Sequence, residues 1–112
     1  MDIGETLTAQ TPADFRRWLE ANHAVKKDIW LVIYKKASGK TGISYDEAID
    51  EALCFGWIDG IAKTLDAEKY VQRFSPRRKG GNWTETNRAK ARRLIAAGRM
   101  TAAGLAALPT DF

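Results

Sequence analysis

The sequence has a single cysteine, Cys54, among its 112 residues. One cysteine excludes an intrachain disulfide and any metal site built from a cysteine cluster, and it fits a reducing compartment. Histidine is equally scarce: His23 stands alone, with no ligand or nucleophile close to it in the sequence, and is expected at a helix end or on the surface. We therefore expect no metal and no cofactor.

Long apolar runs are also absent. No window approaches the roughly 18 apolar residues that a membrane helix needs. Residues 1–10 hold two acids and no basic residue, and they lack the apolar run of a signal peptide. These absences predict a cytoplasmic protein with no membrane insertion.

Acidic residues are nearly missing from the last third of the chain. Residues 73–112 carry nine Lys/Arg and two acids, whereas residues 1–72 carry nine Lys/Arg and twelve acids. A basic segment of this kind indicates an anionic partner such as nucleic acid, a nucleotide or an acidic protein surface. An arginine-rich helix face exposed to solvent is the alternative interpretation.

Helix signals occur at four places. Thr11 and Pro12 predict an N-cap followed by proline at the first helical position. Residues 44–47 and 82–85 each have the pattern of a capping box, and Thr101 caps a last short helix. The four predicted helices span residues 12–22, 44–55, 83–97 and 102–108.

Four acids crowd the first two turns of the second predicted helix: Asp46, Glu47, Asp50 and Glu51. Carboxylates are favourable there because the helix dipole is positive at its N-terminus. We expect a face exposed to solvent, with a metal site as the alternative.

Three segments predict strands. Residues 29–35 are apolar on both alternating faces, which suits a covered strand, and residues 57–65 and 69–75 predict a hairpin. The predicted fold is α+β: a small, mainly antiparallel three-stranded sheet packed by about four helices, in a single compact domain. This domain covers residues 11–109, after a flexible lead-in at 1–10 and before a tail at 110–112.

Asp59 is the one candidate catalytic residue. It lies between large apolar neighbours on its own face of the predicted strand, where a carboxylate is costly unless it is paired. Arg73 on the return strand is a candidate partner across the hairpin. Two interpretations of this pair are open. It is either a buried ion pair that stabilises the fold, or Asp59 holds Arg73 so that the arginine faces an anion.

The loop before the third predicted helix offers the best anion site in the chain. It brings three consecutive cations, two glycines and the free N–H groups of a helix start together, and an arginine stripe on the helix extends it. The candidate anion-binding residues are Arg73, Ser75, Arg77, Arg78, Lys79, Gly80, Asn82, Arg88 and Arg92. Trp57 and Trp83 are candidates for stacking on a base or ring.

The motifs CFGWIDG, at residues 54–60, and QRFSPRRKGGNW, at residues 72–83, resemble the YdeI/OmpD-associated family, also called the bacteriocin-protection family. The resemblance extends over roughly residues 15–108. It implies a small bacterial α+β protein linked to protection against bacteriocins and to an outer-membrane porin. It implies no particular reaction, cofactor or catalytic residue, and longer members carry a further basic helical segment.

Three hypotheses follow. In the first, the protein is non-enzymatic and binds an anionic ligand or nucleic acid through the basic loop and the helix after it. In the second, it is an enzyme on a phosphorylated or carboxylate substrate, with Asp59 as acid/base, Arg73 and Arg77 as clamp, and Ser75 or Cys54 taking part. In the third, it is a protein-interaction module of envelope-stress defence with exposed tryptophans. A homodimer is compatible with all three.

Overall fold

A computed structural model of the chain describes residues 2–78 and 81–112. Within them lie four α-helices, four strands and a 3₁₀ turn at Lys36–Ser38. The helices are α1, Pro12–Asn22; α2, Tyr45–Cys54; α3, Glu85–Ala96; and α4, Ala102–Ala106. The strands are β1, Thr6–Thr8; β2, Ile29–Tyr34; β3, Trp57–Thr64; and β4, Lys69–Pro76. The α+β prediction of one compact domain with four helices is confirmed, since helices and strands share one core.

The sheet has four strands, in the order β1-β2-β4-β3, and the prediction of three strands was wrong. The additional strand, β1, lies in the segment predicted as a lead-in and pairs parallel with β2. The other two pairings are antiparallel, so the sheet is mixed. Only three residues long, β1 is too short for an alternation pattern to reveal it.

The two faces of β2 belong to two clusters. Ile29, Leu31 and Ile33 face the main core with α1 and α2. Trp30 and Val32 lie in a second cluster, where the N-terminal segment packs against them. The continuous apolar run of β2 is explained by this burial on both faces.

The helix starts follow their sequence signals in three of four cases. Thr11 and Thr101 cap α1 and α4, and Ser44 forms the predicted capping box with Glu47. The predicted capping box at residues 82–85 was wrong. Here α3 begins at Glu85 with Thr84 as its N-cap, because the Thr84 side chain accepts the N–H of Asn87. None of the helices in the described ranges is long and apolar enough to span a membrane.

The short helix α4 is seated against the end of α2 through two glycines. Gly56 follows α2 with a φ of 76°, and a Cβ at this position would lie 2.9 Å from both the Ala103 carbonyl oxygen and the Ala107 Cβ. A Cβ on Gly104 would clash with the Cys54 carbonyl oxygen and the Met100 sulfur. The Thr101 N–H and hydroxyl both donate to that Cys54 carbonyl.

We expect Gly104→Ala to lower the free energy of unfolding by about 1–2 kcal/mol. Overpacking costs about 1–3 kcal/mol, and the better helix propensity of alanine returns up to about 1 kcal/mol. Urea unfolding measures the change. Leu105→Ala is the control, since Leu105 is exposed on the same helix and should change stability by less than about 0.5 kcal/mol. A Gly104→Ala variant as stable as the parent would show that α4 sits loosely.

Candidate functional site: a basic groove beside Trp83

An open groove of about 1010 Å³ lies between the β4–α3 connection and α4. Five of the predicted site residues line it: Arg77, Arg78, Asn82, Trp83 and Arg88. We call it the Arg77 groove. The predicted residues Lys79 and Gly80 lie outside the described residues.

Arg77 is the central residue of the groove. Its backbone N–H donates to the Gly56 carbonyl at 2.9 Å, which fixes the chain as it leaves β4. Its guanidinium carbon lies 3.8 Å from the centre of the Trp83 ring, a cation–π contact. Nη1 reaches the Asn82 carbonyl only at 3.5 Å. Nε and Nη2 are buried and find no acceptor within the described parts of the chain.

The charge balance at Arg77 is unusual for a half-buried cation. Burial lowers the pKa of the Arg77 guanidinium, and the nearby Asp59 carboxylate opposes this in part. Burying a guanidinium costs free energy of desolvation when no hydrogen-bond acceptor replaces the water that it loses. An anion that accepts from it removes part of this cost.

The other two arginines of the groove differ in their partners. Among the described residues, no carboxylate pairs with Arg78, which is exposed. Arg88 donates through Nη2 to both Asp111 oxygens, at 3.3 and 3.5 Å. The Asp111 side chain is 73% exposed, so this ion pair is a weak one.

The remaining predicted anion-binding residues lie elsewhere. Arg73 donates from Nε to Asp28 at 3.0 Å, rather than to Asp59. Ser75 sits within β4, opposite Ile58. The Arg92 guanidinium lies over the Phe112 ring, 5.2 Å from its centre. These three residues are not among those that line the groove.

The predicted meeting of Arg73 with Asp59 was wrong because the two residues are on opposite faces of the sheet. Asp59 stands opposite Phe74, whose ring is in the main core. The neighbouring residue Arg73 points the other way, since side chains alternate along a strand. Arg73 stands opposite Trp30, in the second cluster.

Trp57 is not available for stacking, which corrects the prediction made for it. It is 1% exposed and packs edge-on against Trp18, with ring centres 5.7 Å apart. Trp30 is equally buried. The protein-interaction hypothesis expects exposed surface around Trp18, Trp30 or Trp57. It is not present at Trp30 or Trp57, and Trp18 is partly buried against the main core.

Asp59 accepts a 2.6 Å hydrogen bond from the Tyr45 hydroxyl. Burial, and then this hydrogen bond, raise the pKa of Tyr45. The crevice that Asp59 lines with Arg77 is too narrow for a water molecule. Tyr45 was not identified from the sequence as a partner of Asp59, because this contact depends on how α2 packs against β3.

Of the other groups named for an enzyme, Arg77 lies near Asp59, whereas Cys54, Ser75 and Arg73 do not gather there. Cys54 is fully buried, and burial raises the pKa of its thiol despite a hydrogen bond with Arg16 that lowers it. Ser75 and Arg73 lie in β4 at the positions given above. Within the described ranges, no group of three or more His, Cys, Asp or Glu residues is arranged to hold a metal ion.

Comparison with known proteins gave one match. Searches of curated proteins and of solved structures each returned nothing similar to the chain. The sequence profile of a family described as "Domain of unknown function (DUF8412)" matches residues 7–107, a range that includes all four strands except the first residue of β1, and all four helices. The chain therefore belongs to the DUF8412 family.

Proposed function

We propose that this protein is a non-enzymatic module that binds a compact anionic group, a phosphate or a carboxylate, in the Arg77 groove. One observation carries the proposal: the Arg77 side chain lines the groove without a carboxylate partner among the described residues, and its buried Nε and Nη2 find no acceptor there. Its contact with Trp83 holds the guanidinium plane in place. A planar fork of N–H donors suits the oxygen atoms of a phosphate or carboxylate.

The charge distribution favours a compact anion over a long nucleic acid. Several cations after β3 already contact carboxylates: Lys90 and Arg93 share Asp50, and Arg99 contacts Glu51. The stripe on α3 is thus a weak track for a chain of phosphates. Arg77 and Arg78 remain without a carboxylate partner among the described residues, and they lie together at the groove.

The resemblance to the YdeI/OmpD-associated family suggests a biological setting for the proposal. Protection against a bacteriocin or an antimicrobial peptide is compatible with a small bacterial protein that holds an anionic ligand. The proposal stands on the groove and does not depend on this setting.

We expect Arg77→Ala to weaken the binding of pyrophosphate by about 10- to 100-fold, since a hydrogen bond to a charged group contributes about 1.5–3 kcal/mol. Isothermal titration calorimetry at low ionic strength measures the affinity. Arg93→Ala is the matched control, because it removes the same charge from a residue that contacts Asp50, at 2.9 Å. Unchanged affinity in Arg77→Ala, or no binding of pyrophosphate to the parent protein, contradicts the proposal.

The same proteins should be titrated with a single-stranded oligonucleotide across a salt series. A compact site makes two or three phosphate contacts, so the logarithm of the binding constant should fall with a slope of about −2 against the logarithm of salt concentration. A slope of about −5 or steeper would favour an extended nucleic-acid track along α3.

A further inference from the structure

The Arg77 groove is much larger than an anionic group. Its volume of about 1010 Å³ is at the upper end of the range for pockets that bury whole small molecules. A phosphate or carboxylate bound at Arg77 and Arg78 would leave most of this space to the rest of the ligand. The remaining part of the lining therefore indicates what the rest of the ligand is.

That part of the lining is an apolar wall. It is formed by α4 and the turn after it, and it presents Ala103, Ala106, Ala107, Leu108 and Pro109. Alanine side chains make a smooth surface that offers contact area and no hydrogen bonds. A ligand part that lies along this wall gains by leaving water, in proportion to its apolar area.

The apolar wall is held in a fixed position. The contacts at Gly56 and Gly104 bring the α4 backbone directly against the end of α2, and Thr101 anchors its first turn through two bonds to the Cys54 carbonyl. A pre-formed wall costs little ordering when a ligand binds.

The charges of the groove are arranged asymmetrically. Arg77 and Arg78 line the groove without a carboxylate partner among the described residues, whereas Arg88 is paired with Asp111. A second anionic group would find Arg88 already paired with Asp111. The charge pattern accepts one anionic head and favours an uncharged body.

We propose, on the basis of the proposed function, that the ligand is an amphipathic anion: a phosphate or carboxylate head held by Arg77 and Arg78, and an apolar body lying along residues 103–109. The occupant is a free single molecule rather than a bilayer, because the apolar residues line a groove of about 1010 Å³, a volume that suits one small molecule.

The test compares inorganic phosphate with butyl, hexyl and octyl phosphate by calorimetry, below the concentration at which micelles form. Full burial of a methylene contributes about 0.8 kcal/mol, or about fourfold in affinity. In an open groove, about half of this is expected. Octyl phosphate should therefore bind at least about tenfold more tightly than butyl phosphate.

Two substitutions at Ala106, an exposed residue of the apolar wall, test where the alkyl chain lies. Ala106→Gln should remove most of the gain with chain length while inorganic phosphate binds as before, and Ala106→Leu should increase the gain. Ala96→Gln is the matched control, since Ala96 is exposed on α3 and does not line the groove.

The outcomes separate this inference from the proposed function. If phosphate binding requires Arg77 but does not depend on the length of the alkyl chain, the inference of an amphipathic ligand is wrong, and the proposed anion site is unaffected. No binding of any anion overturns both. If adenosine monophosphate binds more tightly than octyl phosphate, and Ala106→Gln does not change its affinity, the ligand is a nucleotide and the inference is wrong. Binding to vesicles that contain phosphatidic acid, without binding to free octyl phosphate, would show that the occupant is a lipid in a bilayer and not a free molecule.

Discussion

Trp57→Ala is expected to lower the free energy of unfolding by about 4 kcal/mol. Trp57 is 1% exposed in the main core, where its ring meets Trp18 edge-on. Truncating a buried phenylalanine or tryptophan to alanine costs about 3–5 kcal/mol, because the lost contacts leave a cavity. For a domain of this size, we expect the midpoint of thermal unfolding to fall by about 20 °C.

Urea unfolding followed by circular dichroism measures the loss at Trp57. Trp83→Ala is the natural control, since Trp83 is half-buried at the edge of the core and lines the groove. It should cost much less stability and should instead weaken anion binding, because Arg77 loses its stacking partner. A Trp57→Ala variant within about 1 kcal/mol of the parent would return Trp57 to the candidates for ligand stacking.

The second large effect is expected at Glu51, which is 3% exposed. It accepts from Arg16 at 3.1 Å and from Arg99 at 2.7 Å, and this joins α1, α2 and the turn after α3. Replacing both arginines with methionine would leave the buried carboxylate without a cation. We expect a loss of about 3–5 kcal/mol in the free energy of unfolding, the usual cost of breaking a buried ion pair on one side.

A rescue variant distinguishes the charge effect from lost packing. Adding Glu51→Met to the two arginine substitutions should recover most of the lost stability, because an apolar replacement of the whole ionic cluster is often neutral. Denaturant unfolding of the double and triple variants gives the comparison. A triple variant as unstable as the double variant would show that the arginine side chains stabilise the fold by packing alone.

The elements that could be predicted from the sequence are those with local causes. The N-caps at Thr11 and Ser44, and the continuous apolar run of β2, each determine their structure within a few residues. β1 could not be found this way, because Thr6–Thr8 becomes a strand only by pairing with β2, more than twenty residues away in the chain. Such parallel pairing has no local sequence pattern of its own.

The buried acid in α2 is a different kind of miss, since a signal for it was present. Glu51 was expected on a face exposed to solvent with Asp46, Glu47 and Asp50. It lies three residues after Ala48, which is fully buried, and residues at this spacing share a helix face. Its two arginine partners come from distant parts of the chain, so the reason that the burial is tolerated could not be read locally.

The candidate site was predicted in part. Arg77, Arg78, Asn82, Trp83 and Arg88 do line one groove. The pairing of Arg73 depended on strand register, and the partner is Asp28. A bulge between Asp59 and Ala62 shifts the β3–β4 register by one residue, and Gln72 donates to the Gly60 carbonyl within it. The apolar wall was missed because α4 meets the basic loop only in the folded chain.

The seating of α4 on Gly56 and Gly104 would couple the binding of the proposed ligand to the folding of this helix. A five-residue helix is not stable by itself in water, so α4 is ordered only while it is docked. A ligand that contacts the wall binds the docked form alone, and it stabilises that form by about 2.7 kcal/mol at a concentration of one hundred times its Kd. The groove is thus completed by an element that is ordered by its docking against α2, and occupancy by the proposed ligand would add to the cohesion of the C-terminal part of the fold.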